Sequence, residues 1–557
     1  MVAEVEAVGL LSGLVSADLP AMMMVGADKP VGEVEMSCQV GEDQEQGQGQ
    51  GQDGEGKTFL VDDVIDEVGF GKYQMQLMLL CGLGWATDIM DLTMLSYLIP
   101  TLAREWGDSL DQLGTAAELT FLGMMCGSLF WGMASDRIGR KPAFMLTSLV
   151  ASCAGLLSAT AGGLGTFAAC RFVQGFGLGG NLAVDFAIFL ENIPTKSRGR
   201  MTTFLTVFAT LGSLSSAGLA WVLMESAGWR VYVALCCSPG LVIAGLRAFM
   251  MESPHFLASV GRAEECHRVL TRVAAINKVA LPVGLTPLSL RASTSGRAPL
   301  REEMRALLGP GVLRGRLAMT GAFWFMLAYG FYGFSVWGAS YFQERGFVAQ
   351  QSYAALFTSV ACQVPGTLTA VALVERVGRR PLLVAFSLGC SVSILGFAIT
   401  SSHATMLVSS LALNFNTAAL WAVTYTFTPE IFPTRYRTSA LGMCAALARV
   451  AAILASAVGG AAFAAAADGD SAPIDWSLGV YSVTYLLCAL LALAVGVDMT
   501  GVRLSAVDAE ADGGTAVASR RGEEYDSLAA RDALIHDRPA ATSALPQALG
   551  ACREPQP

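Results

Sequence analysis

The sequence predicts an all-α membrane protein with twelve transmembrane helices in two pseudo-symmetric six-helix halves. Three observations lead to this fold class: the composition of the chain, a succession of apolar segments and an internal repeat. Of the 557 residues, 53% are hydrophobic and only 15% are charged, and the mean hydropathy is +0.50. Soluble domains carry about a quarter charged residues, so this composition excludes a soluble multidomain enzyme.

From residue 74 onward, apolar segments long enough to cross a bilayer follow one another. About 20 apolar residues at 1.5 Å per residue span a hydrocarbon layer of roughly 30 Å. In lipid, such segments must satisfy their backbone amides internally, as a helix does. We therefore predict helical spans, without β structure, at 75–99, 114–134, 142–163, 165–190, 201–224, 230–250, 318–342, 353–374, 381–400, 404–428, 438–466 and 475–497.

The chain begins with an acidic segment. Residues 1–72 contain fifteen Asp or Glu and three Lys, and the stretch 41–56 consists mostly of Gly, Gln and acidic residues, a composition that does not fold alone. Five regions are predicted: a disordered acidic N-terminal tail (1–72), a first six-helix half (73–250), a central loop (251–317), a second six-helix half (318–500) and a disordered C-terminal tail (501–557).

The basic residues predict the orientation in the membrane. The connections on one side, together with the central loop, hold 22 Lys or Arg residues, whereas the opposite connections hold 3. Eleven of the 22 are assigned to the central loop, between Arg247 and Arg316. Because cytoplasmic loops carry the excess of Lys and Arg, both tails and the central loop are expected to be cytoplasmic. The expected location is the plasma membrane or an endomembrane.

Two motifs of the first half recur in the second half at the same distance along the chain. Asp136-Arg-Ile-Gly-Arg-Lys-Pro142 corresponds to Glu375-Arg-Val-Gly-Arg-Arg-Pro381. Glu191-Asn-Ile-Pro-Thr-Lys-Ser-Arg198 corresponds to Glu430-Ile-Phe-Pro-Thr-Arg-Tyr-Arg437. Both offsets are 239 residues, which chance rarely gives for two unrelated motifs. The repeat predicts a substrate site where the two halves meet.

With these motifs, about residues 68–505 resemble the major facilitator superfamily. The element at 136–141 is similar to the signature of that superfamily. Met251-Glu-Ser-Pro-His-Phe-Leu257 resembles the element that follows the sixth helix of sugar porters, with Met251 and His255 as departures. Within that superfamily, the segments GFGKYQ (69–74), Asp88-Ile-Met-Asp91 and 425–450 resemble the synaptic-vesicle-related and organic ion transporter branch.

The resemblance implies a transporter of a small organic solute that works by alternating access, and not an enzyme. The sequence contains no P-loop, so ATP is not the expected energy source. Transport is expected to occur by facilitated diffusion or by coupling to protons. The fifth and seventh spans lack glutamines, which disfavours a sugar because each unpaired buried polar group costs about 1–3 kcal/mol. An organic cation carrier, a sugar carrier and a non-transporting receptor or scaffold remain alternatives. The expected partners are the solute, protons and the lipid bilayer, and no nucleic acid. The protein is expected to be a monomer and to need no cofactor.

Ionisable groups within the spans are candidate functional residues. Asp88, Asp91, Arg171 and Arg449 lie at bilayer depth, where a charged group costs roughly 2.5–3.5 kcal/mol unless it meets a partner or a wet cavity. We expect Asp88 to pair with Arg171, and the resemblance to proton-coupled sugar porters implies that protonation of this Asp drives transport. The alternative is a static buried ion pair that fixes helix packing.

Arg449 favours an anionic or zwitterionic solute, because a guanidinium holds a carboxylate through two parallel hydrogen bonds. The alternative pairs Arg449 with Asp91 or Asp185. In the tenth span, Asn414 and Asn416 are expected either to contact the solute or to form interhelical hydrogen bonds. Four aromatic residues of the seventh span are expected either to line a cavity or to anchor the helix: Trp324, Tyr329, Tyr332 and Trp337.

The resemblance also implies that the repeated motifs form cytoplasmic latches. Arg137 and Arg140 are expected to reach Glu191. Alternatively these charges only set the membrane orientation, which explains the arginines but not the repeated glutamates. The candidate gate residues are Asp136, Arg137, Gly139, Arg140, Glu191, Arg198, Glu375, Arg376, Gly378, Arg379, Glu430 and Arg437. The 4 His and 13 Cys residues are scattered, so no metal site or disulfide scaffold is expected.

Overall fold

The protein is described by a computed structural model over residues 59–194, 198–282, 284–291, 300–374, 376–432, 436–466 and 471–494. Within these ranges the helices are α1 (Val61–Val68), α2 (Lys72–Trp106), α3 (Leu110–Ile138), α4 (Arg140–Ser158), α5 (Leu164–Asn192), α6 (Arg198–Leu223), α7 (Trp229–Arg247), α8 (Pro254–Ser259), α9 (Ala263–Asn277), α10 (Leu300–Leu308), α11 (Val312–Glu344), α12 (Ala349–Ala361), α13 (Gln363–Leu373), α14 (Arg379–Ile399), α15 (His403–Ile431), α16 (Arg437–Ala465) and α17 (Ala472–Ala494).

Twelve segments correspond in order to the predicted spans. In the described part of the chain, eleven are long and apolar enough to cross a membrane, with α12 and α13 counted together. The twelfth is α5, a continuous 29-residue helix. Large apolar side chains such as Val392 (69% exposed) and Ile399 (77% exposed) point away from the bundle, as expected for helices that are surrounded by lipid.

The span predicted at 353–374 is broken into α12 and α13 at Cys362. Pro365 follows the break and has no backbone N–H, so it cannot donate to the carbonyl four residues earlier. The interruption places Gln363 at the start of α13, facing the interior of the bundle. Interrupted helices are typical of solute sites in transporters.

The two halves pack their helices in the same way. In the first half, α2 packs on α6 and α4 packs on both α5 and α7. In the second half, α11 packs on α16 and α14 packs on both α15 and α17. Between the halves, α3 contacts α16 and α6 contacts α12 and α13. The internal repeat is therefore a repeat of three-dimensional arrangement as well as of motifs.

A small cap covers one end of the first half. We call this end of the bundle the tail end. It consists of α1, α8, α9 and a two-residue parallel strand pair in which Phe59 pairs with Leu290 and Leu60 with Arg291. Residues 59–72 of the segment predicted as a disordered tail are therefore folded, and the predicted central loop contains α8, α9 and α10. Val61 and Val64 of α1 are fully buried, because apolar residues spaced three and four apart form one face of the helix. Residues 1–58 and 495–557 lie outside the described residues.

Asn277, the last residue of α9, connects this cap to the first membrane helix. Its Oδ1 accepts a hydrogen bond from the backbone N–H of Tyr73 at 3.0 Å, and its Nδ2 donates to Gln74 Oε1 at 2.8 Å. Gln74 Oε1 also accepts from the backbone N–H of Gly71 at 3.0 Å. The first turn of a helix leaves backbone donors unpaired, so Asn277 acts as a capping side chain contributed from 200 residues away.

Replacing Asn277 with Ala is expected to destabilise the protein by about 0.5–2 kcal/mol, the usual cost of losing a helix cap. The measurement is the midpoint of thermal unfolding of the full-length protein in detergent. Arg272→Ala is the matched control, because Arg272 lies exposed on the same helix. Equal midpoints for the two variants would show that Asn277 does not hold the cap to α2.

Candidate functional site

A central cavity lies between the two halves. Its empty volume is about 830 Å³, part of which is open to solvent. A second cavity of about 590 Å³ adjoins it and shares Ser213, Phe331, Gln363 and Thr417 with it. Helices of both halves supply the polar and aromatic lining of the central cavity, including Trp85, Asp88, Thr206, Thr210, Ser213, Phe331, Tyr332, Gln363, Thr417, Trp421, Tyr425 and Arg449.

Asp88 lines the central cavity and is 7% exposed. Its Oδ1 accepts a hydrogen bond from Asn181 Nδ2 at 2.8 Å, and its buried Oδ2 has no hydrogen-bond partner among the described residues. No ion pair joins Asp88 to Arg171 in this part of the chain, so the predicted pairing is wrong. Asp88 instead lines the space between the halves and bonds Asn181.

Arg171 is fully buried and is connected to Asp91 through two intervening side chains. Arg171 Nη1 donates to Gln174 Oε1 at 2.6 Å, Gln174 Nε2 donates to Cys237 Sγ at 3.7 Å, and Cys237 Sγ donates to Asp91 Oδ1 at 3.2 Å. Counting along helices gave the depth of Arg171 but not its nearest acceptor. Gln174 lies one turn away on the same helix, where side chains three residues apart meet.

Arg449 lines the cavity opposite Asp88 and is 9% exposed. Its Nη1 donates a hydrogen bond to Tyr332 Oη at 2.7 Å. No carboxylate forms an ion pair with it among the described residues. Asp91 is bonded to Cys237, and Asp185 lies 3.3 Å from Arg247. The alternative in which Asp91 or Asp185 neutralises Arg449 is therefore not formed, and Arg449 lines the central cavity without an acidic partner among the described residues.

Aromatic side chains form one wall of the cavity. Trp421 and Tyr425 stack with ring centroids 5.6 Å apart, Trp85 meets Tyr425 edge-on at 5.9 Å, and Phe331 meets Trp421 edge-on at 5.8 Å. The buried Nε1 of Trp421 has no acceptor in the described structure. Trp421 and Tyr425 were not among the residues predicted for the site, although their four-residue spacing places them on one helix face.

The aromatic residues singled out in the seventh span have different positions. Tyr332 lines the central cavity. Trp324 lies behind the aromatic wall and donates to Thr428 Oγ1 at 2.8 Å, and Trp337 is fully buried and donates to the carbonyl of Ser456 at 3.1 Å. Whether such a residue lines the cavity or packs against another helix depends on the helix face it occupies. Sequence spacing does not determine that face over such a long span.

The two asparagines of the tenth span also separate. Asn414 lines the second cavity and accepts a hydrogen bond from Gln363 Nε2 at 2.8 Å. Asn416 donates to the carbonyl of Ala412 at 2.7 Å and lines neither cavity. Gln363, which the sequence analysis did not single out, lines both cavities at the break between α12 and α13.

Arg247 is a further buried charge that the sequence analysis placed among the basic residues of the central loop. That placement is wrong, because Arg247 ends α7 and is fully buried in the first half. It donates to Asn181 Oδ1 at 3.0 Å and to the carbonyl of Phe144 at 2.9 Å, and it also bonds Ser148 Oγ. A count of basic residues between spans cannot separate a loop arginine from one that folds back into the bundle.

The repeated motifs bring an arginine to a glutamate in each half. Arg140 Nη2 lies 3.3 Å from Glu191 Oε1. Arg379 bonds Glu430 through two parallel hydrogen bonds of 3.0 Å each. Arg137 is exposed and is not the partner of Glu191, contrary to expectation. Arg376 is likewise exposed. Glu375 lies outside the described residues. For Asp136, Arg198 and Arg437 only the backbone is described.

The motif glycines explain the sharp turns at the same places. Gly139 has φ of 103° and Gly378 has φ of 97°, a backbone conformation that side chains with a Cβ rarely adopt. Each glycine immediately precedes a helix, α4 or α14. The turns aim the following arginines, Arg140 and Arg379, at their glutamates.

Sequence comparison identifies relatives across most of the chain. The Synaptic vesicle 2-related protein of Pongo abelii is 29% identical over 465 residues, which cover 80% of this chain and 82% of that protein. The Niacin transporter NiaP of Acinetobacter baylyi is 29% identical over 70% of this chain and 88% of that protein. Organic cation/carnitine transporter 7 of Arabidopsis thaliana is 28% identical over 72% of this chain and 88% of that protein. The predicted likeness to the synaptic-vesicle-related and organic ion transporter branch is confirmed.

Structure comparison shows the fold. The solved structure of the proton:xylose symporter XylE, bound to 6-bromo-6-deoxy-D-glucose, matches with a TM-score of 0.60. The identity is 19%, and the match covers 78% of this chain and 98% of that chain. The predicted helical membrane fold of the major facilitator type is confirmed. Residues 82–502 match the family described as sugar (and other) transporter. The chain is therefore a multi-pass membrane transporter that belongs to the sugar (and other) transporter family.

Proposed function

We propose that the protein carries a small aromatic carboxylate across the membrane together with protons, by alternating access. The observation that supports this most strongly is Arg449. It lies in the central cavity between the halves, and no carboxylate of the described residues neutralises it. A buried charge without a partner is costly. A solute carboxylate that accepts two parallel hydrogen bonds from the guanidinium removes this cost.

The aromatic wall supports a flat ring as the body of the solute. Trp85, Phe331, Trp421 and Tyr425 present ring faces and edges to the cavity. Offset or edge-on contacts between rings contribute about 0.5–1.5 kcal/mol each. The unpaired N–H of Trp421 offers a hydrogen bond to an acceptor on that ring. Niacin, which the relative from Acinetobacter baylyi is named for, is an aromatic carboxylate of this kind.

The competing solutes fit the cavity less well. Aromatic walls also bind organic cations, and one relative is named for an organic cation and carnitine. A simple cation, however, would be repelled by Arg449. A sugar requires many polar partners, and the central cavity is mainly aromatic and apolar with a few hydroxyls and Gln363. The two buried charges, Asp88 and Arg449, in a cavity that both halves line favour transport over a non-transporting receptor.

Asp88 is the proposed proton-carrying group. It shares the cavity with Arg449, and its Oδ2 has no partner among the described residues. A proton on this oxygen removes the buried negative charge, and its release restores it. Because both the proton and the carboxylate of the solute enter the same cavity, their binding can be linked through one conformational change.

Contacts at the far end of the bundle support alternating access, and the distribution of basic residues supports the placement of both tails on the cytoplasmic side. At the end opposite the tail end, Thr101 Oγ1 bonds Tyr353 Oη at 2.8 Å and Gln350 Nε2 donates to the carbonyl of Trp221 at 3.0 Å. These contacts join the two halves there. The Arg140–Glu191 and Arg379–Glu430 pairs lie at the tail end, within each half. We propose that they stabilise the state that is closed on that side.

The test is uptake by the full-length protein in liposomes at an inside pH of 7.5 and an outside pH of 5.5 or 7.5. The labelled solutes are nicotinate and benzoate as aromatic carboxylates, tetraethylammonium as a cation and xylose as a sugar. We expect saturable uptake of an aromatic carboxylate that is faster at the acidic outside pH. Uptake of tetraethylammonium or xylose, without either carboxylate, would contradict the proposal.

A further inference from the structure

A second buried charge cluster lies directly behind Asp88, on the side away from the cavity. Its centre is Arg247, which is fully buried at the end of α7. Arg247 Nη2 lies 3.3 Å from Asp185 Oδ2, and Arg247 Nη1 donates to Asn181 Oδ1 at 3.0 Å. Neither Arg247 nor Asp185 lines the central or the second cavity. The pair is therefore placed to act through other residues and not on the solute.

Asn181 connects this pair to Asp88. Its amide oxygen accepts from Arg247 and, at 3.1 Å, from Ser148 Oγ, while its amide nitrogen donates to Asp88 at 2.8 Å. An asparagine amide can turn by half a rotation and exchange its oxygen and nitrogen. Arginine carries only donors, so Arg247 permits one orientation alone. In that orientation the NH₂ group points at Asp88.

Gly84 provides independent evidence that Arg247 must lie close to the helix of Asp88. Gly84 is on α2, four residues and about one turn before Asp88. A Cβ at this position would collide with the guanidinium of Arg247 and would lie 3.4 Å from Asp185 Oδ2. The missing side chain lets the Arg247–Asp185 pair approach the α2 backbone. The pair thus contacts α2 at Gly84 and reaches Asp88 through Asn181.

We propose that Arg247, neutralised by Asp185, is a positioning residue for the proton-carrying carboxylate Asp88. It fixes the Asn181 amide so that its NH₂ group stabilises the charged form of Asp88 and so sets the pH range in which the proton is released. The other charged groups near Asp88 are Asp91 on its own helix and Arg449 across the cavity. This inference rests on the proposed function of Asp88 as the proton carrier.

The test compares the pH dependence of nicotinate uptake with nicotinate exchange at equal pH on both sides, using the full-length protein in liposomes. The main variant is Arg247→Met with Asp185→Asn, which removes both charges and leaves no unpaired buried ion. A hydrogen bond to the charged form favours deprotonation, so its loss is expected to move the pH midpoint of uptake about 1 unit higher. Exchange is expected to stay within about threefold of the wild type, because the cavity lining is unchanged.

Two single variants keep the test decisive if the double variant folds poorly. Asn181→Leu removes the donor directly, and Gly84→Ala displaces Arg247, so both are expected to shift the midpoint in the same direction. Adding Arg247→Met and Asp185→Asn to Asn181→Leu is expected to give no further shift, since residues that act through one another are not additive. Arg272→Gln, exposed on α9, is the control and is expected to give the wild-type midpoint.

An unchanged midpoint in the transporting double variant would overturn this inference and would show that the pair only packs the helices. A full additional shift in the Asn181→Leu background would overturn it as well, because Arg247 would then act without Asn181. If the wild type shows no pH-dependent uptake of either nicotinate or benzoate, the proposed function fails first, and the inference falls with it. The wild-type measurement separates these two outcomes.

Discussion

Replacing Arg449 with Lys is expected to reduce uptake of an aromatic carboxylate by about 10–100-fold. Lysine keeps the positive charge but offers a single ammonium in place of the planar fork that bonds both carboxylate oxygens. A hydrogen bond to a charged group contributes about 1.5–3 kcal/mol, and 1.4 kcal/mol corresponds to a factor of ten in affinity. The measurement is the initial rate of nicotinate uptake at several concentrations, which separates affinity from turnover.

The matched control for this prediction is Tyr332→Phe, which removes the hydroxyl that accepts from Arg449 but keeps the guanidinium. We expect it to weaken uptake less than Arg449→Lys does, because the guanidinium that binds both carboxylate oxygens is kept. Arg449→Met, which removes the charge, is expected to be at least as impaired as Arg449→Lys. Wild-type uptake by Arg449→Met would show that the solute carboxylate binds elsewhere.

Replacing Asp88 with Asn is expected to abolish accumulation driven by a proton gradient and to leave solute exchange measurable. Asparagine has nearly the same shape as the carboxyl group but does not gain or lose a proton in the physiological range. Without that proton, the gradient has no group through which to act. The measurement is the steady-state accumulation ratio of nicotinate with acidic outside buffer, next to exchange at equal pH.

The control for Asp88→Asn is Asp91→Asn. Asp91 lies nearly one turn away on the same helix, lines neither cavity and bonds Cys237. We expect this variant to keep accumulation driven by the gradient. Normal accumulation by Asp88→Asn would assign proton coupling to another group. Loss of accumulation in Asp91→Asn alone would assign proton coupling to the hydrogen-bonded side chains that connect Asp91 with Arg171.

The architecture could be predicted from the sequence because its causes are local or repeated. Apolar runs of about 20 residues specify helices in lipid, and the shared offset of 239 residues between the two motif pairs specifies two similar halves. Gly139 and Gly378 are visible as motif residues, and the structure gives them the positive φ that turns require. Arg449 also followed from the sequence, since a charge in mid-span indicates a cavity or a partner.

The partners of the buried charges could not be predicted in the same way. Depth along a helix follows from counting residues, but the side that a residue faces depends on how neighbouring helices are rotated and tilted. Asp88 therefore seemed matched to Arg171, whereas Asn181 is its partner and Arg171 bonds Gln174 of its own helix. The interior position of Arg247 was hidden for a related reason, because a basic residue at a span end resembles a loop residue.

The amino-acid sequence by itself determined that this chain is a duplicated helical membrane transporter, because hydropathy and repeats act through short-range patterns of residues. Only the tertiary structure decided which side chains meet: the aromatic wall, Arg449 at the cavity beside Tyr332, Asp88 with Asn181, and Arg247 beyond Asn181. The cavity forms where residues far apart in the chain come close together in space. The distances between such residues are set by the way whole helices pack against one another.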